Sequence, residues 1–282
     1  MAIDVIETAA PVGAELRGVD LSQPLGDNLF GKIENAFNAH GVIFFRNQSI
    51  TPDGLLAFTE RFGDLHLNVF GEDHGLDDYP GVVVISNIEE DGRDIGVKRA
   101  GQHWHSDMCY TAQPPRGTIL CAREIPRQDG LTLGDTCFAA THAAYDDLPE
   151  EMKVRLESSR AVFDFAGRKR AQVITQEQRD RFPPVTHPIV RTHPYTGRKC
   201  LYVMRDDSTG IVGIDDDEAQ RLIEALADHI IRPEYIYRHQ WREGDVLIWD
   251  NCTVQHLAIQ DYDLPLRRLM HRTTFGGEAP PA

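Results

Sequence analysis

Hydrophobic positions along the chain follow mostly the short periods of β-strands. Runs such as "GVIFF" and "DVLIW" have the length and β-branched content of buried strands. "YIYRHQW" and "RRLMHRTTF" instead alternate apolar and polar residues, which is typical of strands with one buried face. We therefore expect a mainly β protein.

Three longer segments have the periodicity of helices. Residues 27–40 have apolar side chains near helical spacing, with Asp27 as the expected N-cap. A second helix should begin at Thr51, just before a proline, and end near Gly63. The clearest amphipathic helix is "DDDEAQRLIEALADHII". Because strands and helices do not alternate regularly, we predict an α+β protein with flanking helices around a barrel or jelly roll, and not a Rossmann fold.

The 282 residues contain no internal repeat, low-complexity segment or long linker. We expect a single domain over residues 1–282. Two stretches, near 68–104 and 164–185, are polar and rich in glycine or proline, and we predict that they form loops, which in the first stretch surround a strand at "GVVVISN".

Composition restricts the possible partners. A formal net charge of −15 argues against nonspecific binding to nucleic acid or to anionic membranes. No apolar run is long enough to span a bilayer, and the first residues do not resemble a signal peptide, so a cytoplasmic protein is expected. The five cysteines are scattered and form no C-x-x-C pair, which favours buried thiols over a zinc ribbon or disulfides.

The stretch "GQHWHSDMCY" carries His103, His105 and Asp107 at alternate positions. In an extended strand these three side chains would share one face. Two histidines and one carboxylate form the facial triad of non-haem iron oxygenases, which leaves coordination positions open for a chelating cosubstrate and O₂. Spacing alone does not decide which of the three side chains bind a metal.

Two motifs near the end of the sequence add further candidates. "WDNCTVQH" places His256 shortly after a predicted strand, and "RRLMHR" contains Arg268 and Arg272. These two arginines are four residues apart and should share one face of a strand, whereas Arg267 should point the other way. A buried dicarboxylate needs a charge-assisted and preferably bidentate partner, which arginine supplies.

In this order, "WHSD", "GDT", "GDVLIWDN…H" and "RRLMHR" resemble the TauD/TfdA family of Fe(II)- and 2-oxoglutarate-dependent dioxygenases, and the likeness extends over nearly the whole chain. The resemblance implies a double-stranded β-helix (jelly roll) core, with Fe(II), 2-oxoglutarate and O₂ as the reacting partners. It implies that His105, Asp107 and His256 are the catalytic iron ligands. Arg268 and Thr136 would bind the distal carboxylate of 2-oxoglutarate.

The expected substrate is a small organic anion, a carboxylate or a sulfonate, bound near Arg272 and Asn68. Taurine itself is disfavoured, because Asn68, Gly71 and Gly101 differ from the residues that hold taurine in its dioxygenase. Asp107 argues against halogenation, since related halogenases have a small residue there. The resemblance also implies a homo-oligomer, a dimer or tetramer.

Two alternative functions stay open at this point. A cupin-type metal enzyme could use His103 and His105 without 2-oxoglutarate, although the glutamate expected soon after such a pair is missing. A non-catalytic binding protein could keep the same fold, although an intact triad and an anchoring arginine speak against it.

Overall fold

The structure, a computed structural model, describes residues 3–66, 74–167 and 174–276. These residues form mainly strands, with helices at the periphery, as the hydrophobic pattern predicts. The helices are α1 (Asp27–His40), α2 (Pro52–Glu60), α3 (Thr141–Asp146), α4 (Glu150–Leu156), α5 (Gln176–Arg181) and α6 (Asp216–Ile230), with a short 3-10 helix over Pro233–Tyr235.

The strands of the described residues are β1 (Asp4–Glu7), β2 (Ala14–Arg17), β3 (Val42–Phe45), β4 (Gly75–Leu76), β5 (Tyr79–Ser86), β6 (Glu89–Glu90), β7 (Arg93–Asp94), β8 (Gly117–Glu124), β9 (Arg127–Gln128), β10 (Leu131–Thr132), β11 (Thr136–Ala140), β12 (Arg160–Phe163), β13 (Val185–Pro188), β14 (Val190–Thr192), β15 (Lys199–Leu201), β16 (Ser208–Ile211), β17 (Ile236–His239), β18 (Val246–Asp250), β19 (Val254–Ala258) and β20 (Leu269–Phe275).

Two sheets carry or flank the candidate site residues named from the sequence. The large sheet has eight strands in the order β1-β2-β3-β18-β8-β20-β5-β4. Its strand pairs are antiparallel except for β2 and β3, which run parallel. A three-stranded sheet, β17-β11-β19, is antiparallel throughout. The other strands form a second three-stranded sheet, β13-β12-β16, and three two-stranded ribbons.

The large sheet is covered on both faces, which explains why its central strands are apolar without alternation. On β18, Val246 and Ile248 pack in one hydrophobic cluster with residues of α1 and α2. Leu247 and Trp249 belong to a second cluster, which includes Phe138 of the three-stranded sheet. The second cluster lies on the side of the large sheet that also bears the candidate site.

The ends of two helices differ in part from the prediction. Asp27 is not the N-cap of α1: Gly26 is, and the Asp27 carboxylate is instead 2.8 Å from Nη2 of Arg61. As the first helical residue, Asp27 still lies where a negative charge favours the helix dipole. Thr51 caps α2 as predicted, since its hydroxyl accepts a hydrogen bond from Gly54 N at 3.1 Å. That helix ends at Glu60, before Gly63.

The polar stretch near 164–185 contains a helix that the hydrophobic pattern does not predict. Helix α5 has no buried residue, but Thr175 and Gln178 form a capping box at its start. All five cysteines are buried and free, as expected. Within the described ranges, no helix is both long and apolar enough to cross a bilayer.

Candidate active site

Residues 101–110 do not form a continuous strand, so the argument from alternate positions does not apply to them. His105 forms one isolated antiparallel bridge with His256 of β19, with backbone N–H···O distances of 3.1 and 2.9 Å. The chain then turns, and Met108 has a positive φ of 48°. The turn after the bridge, and not strand alternation, therefore places Asp107 beside the two histidines.

His105, Asp107 and His256 form a compact group of potential ligands. One ligand atom from each side chain lies within 4.8 Å of the others. Oδ1 of Asp107 is 3.7 Å from Nε2 of His105 and 3.8 Å from Nε2 of His256. Metal bonds to imidazole nitrogen and carboxylate oxygen are each about 2 Å long, so this donor set fits a single first-row metal ion with small side-chain adjustments.

The hydrogen bonds of His105 leave Nε2 as its metal-facing atom. Nδ1 lies 2.8 Å from the carbonyl oxygen of His103 and 3.1 Å from that of His256. Because both neighbours are acceptors, Nδ1 must carry the hydrogen and Nε2 the lone pair. Nδ1 of His256, in contrast, is buried with no hydrogen-bond partner among the described residues.

His103 contributes its backbone to this group and not its imidazole. Its ring lies against that of His105, with centroids 4.9 Å apart, and its Nε2 is 3.8 Å from Oδ2 of the buried Asp207. The imidazole is not part of the ligand group. The geometry thus gives no support to a cupin-type site built on His103 and His105.

Asp107 is held by residues that the sequence did not single out. Its Oδ2 accepts a hydrogen bond of 2.7 Å from the Thr118 hydroxyl on β8. Its backbone N–H donates to Oδ1 of Asn251 at 3.3 Å, and the same oxygen accepts from Nε1 of Trp249 at 3.2 Å. Asn251 belongs to the "WDN" motif, which could have pointed to it. For Thr118, the available signal was a single hydroxyl residue within an otherwise apolar strand.

The charges of the group match the needs of a metal site. Burial by itself would raise the pKa of Asp107, but Arg272, the two histidines and the Thr118 hydrogen bond together hold that pKa well below its usual value. Burial, followed by the neighbouring His105 and Arg272, holds the pKa of His256 well below its ordinary range. An ionised carboxylate and a neutral imidazole are the protonation states that bind metals.

A cavity joins this ligand group to the predicted anion-binding residues. Thr136, Arg268 and Arg272 line it together with His105 and His256. The rest of its wall is mostly apolar or small and comprises Ile85, Ala100, Gly101, Leu120, Trp249 and Ala258. Arg267 points away as predicted: its Nε lies 3.2 Å from Glu124, and about half of its side chain is exposed.

Arg268 is buried and only partly hydrogen-bonded. Its Nη2 is 3.4 Å from the carbonyl oxygen of Gly134, and its Nε has no partner among the described residues. Burial lowers the pKa of Arg268 from its ordinary value, yet a guanidinium stays protonated at neutral pH. Two hydrogen bonds fix its backbone: its N–H donates to Asn87 Oδ1 at 2.8 Å, and its carbonyl oxygen accepts from Ser86 Oγ at 2.9 Å.

Thr136 is oriented by an indole. Nε1 of Trp241 lies 2.9 Å from the Thr136 hydroxyl oxygen, and both side chains are buried. Since an indole N–H can only donate, the Thr136 oxygen accepts this bond and its own hydrogen is left for another acceptor. The hydroxyl can therefore donate into the cavity that Arg268 also lines.

Arg272 lies between the ligand group and the cavity. One of its terminal nitrogens, Nη2, is 2.8 Å from Oδ1 of Asp107. No N–H of that nitrogen points well at the oxygen, so the contact is an ion pair without good hydrogen-bond geometry. Nε of Arg272 likewise has no hydrogen-bond partner within the described part of the chain.

Of the residues compared with the taurine pattern, Asn68 and Gly71 lie outside the described residues. Gly101 has a φ of +75°, and a Cβ added there would come within 3.3 Å of Cε1 of His105. Its carbonyl oxygen accepts from Ala258 N at 2.8 Å. A glycine at this position thus allows the backbone to pass close to a ligand histidine.

Known proteins are similar to this chain over nearly its whole length. Residues 5–274 match the family described as "Taurine catabolism dioxygenase TauD, TfdA family". An alpha-ketoglutarate-dependent 2,4-dichlorophenoxyacetate dioxygenase of Cupriavidus pinatubonensis is 32% identical over 274 residues, covering 93% of this chain and 93% of its relative. An alkylsulfatase of Acinetobacter baylyi is 34% identical over 279 residues, covering 95% of this chain and 83% of its relative.

Solved structures are similar over almost the full length. A taurine dioxygenase from Burkholderia xenovorans superposes with a TM-score of 0.82 at 33% identity, covering 99% of this chain and 92% of its own. AAD-2 in complex with Mn(II) and N-oxalylglycine superposes with a TM-score of 0.84 at 28% identity, covering 100% of this chain and 99% of its own.

Proposed function

The chain belongs to the TauD/TfdA family of dioxygenases, and from that premise we propose that it is an Fe(II)- and 2-oxoglutarate-dependent dioxygenase that hydroxylates a small organic anion. The observation that carries the proposal is the convergence of His105, Asp107 and His256 beside a cavity that the two histidines and two arginines line. In the overall reaction, 2-oxoglutarate, O₂ and a substrate C–H give succinate, CO₂ and a C–OH group.

The three clustered side chains would hold the iron. Nε2 of His105 carries a lone pair because its Nδ1 donates to two carbonyl oxygens, and Asp107 supplies an anionic oxygen between the imidazoles. When bound, the iron supplies the activation of O₂ that couples 2-oxoglutarate decarboxylation to substrate oxidation. The chain's own task is to fix these three donors and to keep the cavity closed to bulk water.

Arg268 and Thr136 would bind the distal carboxylate of 2-oxoglutarate. Arg268 is buried, its Nε has no hydrogen-bond partner among the described residues, and it lines the same cavity as the Thr136 hydroxyl. A buried guanidinium and a hydroxyl that is free to donate are matched to a carboxylate, which accepts several hydrogen bonds at once. A cavity end with such donors favours a dicarboxylic cosubstrate over a neutral one.

Arg272 would bind the anionic group of the substrate, with Asn68 as a second proposed contact. The apolar wall formed by Ile85, Leu120 and Trp249 suits a substrate with a hydrocarbon body. Relatives include a 2,4-dichlorophenoxyacetate dioxygenase and an alkylsulfatase, which supports a carboxylate or a sulfur oxyanion as the anionic group. We therefore propose substrates that combine such a group with a modest apolar scaffold.

The same family membership supports a proposal about the fold. We propose that the eight-stranded sheet and the β17-β11-β19 sheet are the two halves of a double-stranded β-helix, in one domain over residues 1–282. The loop segments within the stretches near 68–104 and 164–185, outside strands β4 to β7 and helix α5, would border its active site. A homo-oligomer and a cytoplasmic location stay predictions.

The test is formation of succinate from 2-oxoglutarate by the purified protein, with Fe(II) added under anaerobic conditions before O₂ is admitted. We expect slow uncoupled turnover, and acceleration by a matching substrate from a panel of aryloxy acids, alkyl sulfates and sulfonates. Neutral esters or alcohols with the same hydrocarbon bodies are the matched controls for the anionic group. If the protein binds no 2-oxoglutarate and the anaerobic complex has no weak visible absorption, the proposed function is wrong.

A further inference from the structure

The two carboxylate oxygens of Asp107 have different surroundings. Oδ1 faces Nε2 of both His105 and His256 at 3.7 and 3.8 Å, and it also faces Arg272. Oδ2 points away from this group and accepts the 2.7 Å hydrogen bond from Thr118. Only one of the two oxygens is therefore presented to the ligand group.

Thr118 is placed by the sheet and not by a loop. It lies near the start of β8 in the large sheet, paired with Trp249 on one side and with Thr274 on the other. Its side chain is fully buried, and a β-branched residue in a strand has a restricted χ1 angle. Its hydroxyl can only donate to an ionised carboxylate, so the direction of this hydrogen bond is fixed.

Asp107, in contrast, sits in a turn. The turn continues through the positive φ of Met108, and the backbone N–H of Asp107 has a longer bond, 3.3 Å, to Asn251. The carboxylate can rotate about two side-chain bonds unless one oxygen is held. The Thr118 hydroxyl holds Oδ2 by a hydrogen bond, while Oδ1 has only the ion-pair contact with Arg272 at 2.8 Å.

We propose that Thr118 is a positioning residue for the metal site: its hydroxyl engages Oδ2 of Asp107 and so presents Oδ1 alone as the ligand oxygen. This inference rests on the proposed function, because it assigns Asp107 to the metal. Partners that orient a metal ligand typically contribute 10- to 100-fold in metal affinity. Thr118 would thus affect metal binding without touching the ion.

The test compares Thr118→Val with Thr118→Ser in the metal-free protein. Valine keeps the shape of threonine and removes the hydroxyl, whereas serine keeps the hydroxyl. We expect the Kd for Mn(II), measured by calorimetric titration, to rise about 10- to 100-fold in Thr118→Val and to stay near the wild-type value in Thr118→Ser. The visible absorption of bound Co(II) should change only in Thr118→Val, because Oδ2 is released to the metal.

Thr273→Val is the matched control. Thr273 is also a buried threonine of the large sheet, on β20, but its hydroxyl lies 2.7 Å from that of Thr59 and has no role at the ligand group. It should lose thermal stability and keep the metal affinity. If Thr118→Val does not fold, Thr118→Ala, which also lacks the hydroxyl but is smaller, replaces it.

Equal Mn(II) affinity and equal Co(II) spectra in wild type and Thr118→Val would overturn the inference while leaving the proposed function intact. A comparable loss in Thr273→Val would also overturn it, since the effect would then come from general destabilisation. Failure of the wild-type protein to bind any of these metals would instead contradict the proposed function itself.

Discussion

The cavity has a proposed metal end, at His105, Asp107 and His256, and a proposed anion end, at Arg268 and Thr136, and the two ends differ in how many hydrogen bonds the protein itself supplies. At the metal end, Oδ2 of Asp107 accepts a hydrogen bond from Thr118, and Nδ1 of His105 donates to carbonyl oxygens of the chain. Nε of Arg268 at the anion end, and Nε of Arg272 between the two ends, are buried with no hydrogen-bond partner among the described residues. Nδ1 of His256 is the exception at the metal end.

The difference matches what each end is proposed to bind. A metal ion is small and needs ligand atoms that are already fixed at the right separation. Hydrogen bonds within the protein therefore orient those ligand atoms. A carboxylate brings several acceptor lone pairs, so the protein must keep donors unoccupied until it arrives. Each buried donor without a partner destabilises the fold by about 1–3 kcal/mol, and this free energy is recovered when an anion binds.

Removing a metal ligand should have the largest effect. Asp107→Ala deletes the only anionic donor of the group and also the counter-charge of Arg272. We expect Mn(II) binding and succinate formation to fall below detection, because two histidines alone leave the ion without charge compensation. Calorimetric titration and a 2-oxoglutarate turnover assay measure the two losses.

Asp228→Ala is the control for that experiment. Its carboxylate pairs with Arg205 at the surface and is about two-thirds exposed. It should bind metal like the wild type, since exposed ion pairs contribute little to stability. If Asp107→Ala retained wild-type Mn(II) affinity, the assignment of the metal end would be wrong.

Removing the anchoring cation at the anion end should have the next largest effect, and one of a different kind. In Arg268→Gln, the charge that faces the distal carboxylate is lost, which should weaken 2-oxoglutarate binding by at least about 2 kcal/mol, or roughly 30-fold in Kd. Mn(II) affinity should stay within about two-fold of the wild type. Titration of 2-oxoglutarate into the Mn(II)-loaded protein gives the Kd.

Arg267→Gln is a closely matched control, since the two arginines are neighbours in sequence. Arg267 points to the opposite side, beside Glu124, and is half exposed. We expect no change in the Kd for 2-oxoglutarate. A similar weakening in both variants would mean that general charge, and not the cavity position of Arg268, controls binding.

The sequence predicts the ligands better than it predicts their local structure. His105, Asp107 and His256 were identified from the order of the motifs, and they do converge. The argument from strand alternation was nevertheless wrong, because the chain forms a single bridge at His105 and then turns. Two side chains that are two residues apart can reach the same metal ion either from an extended strand or from a turn. Their spacing therefore does not distinguish the two backbone structures.

The central strands were predictable because both faces of the large sheet are buried, which requires continuous apolar runs. Helix α5 was not predicted because it buries nothing and therefore has no amphipathic pattern. Thr118 and Trp241 could not be assigned from sequence either. Folding brings Thr118 to Asp107, 11 positions away, and Trp241 to Thr136, 105 positions away.

The smallest expected effect concerns the contact that orients the Thr136 hydroxyl. Trp241→Phe removes the indole N–H that the Thr136 oxygen accepts at 2.9 Å. The hydroxyl is then free to turn its hydrogen to other acceptors, and a net hydrogen bond is worth about 1 kcal/mol. We expect the Kd for 2-oxoglutarate to rise about five-fold, with Mn(II) affinity unchanged.

A double-mutant cycle with Thr136→Val separates this effect from the loss of core packing, because Trp241 is fully buried and phenylalanine leaves a small void. If Trp241 acts through the hydroxyl, Trp241→Phe should weaken 2-oxoglutarate binding in the wild-type background and have almost no further effect in Thr136→Val. Equal effects in both backgrounds would show that the indole only packs. The selectivity of the anion end would then come from the arginine charge alone. A Trp241 effect that disappears in Thr136→Val would instead show that the protein orients one hydrogen-bond donor there before the anion binds, as it orients the ligand atoms of the metal end.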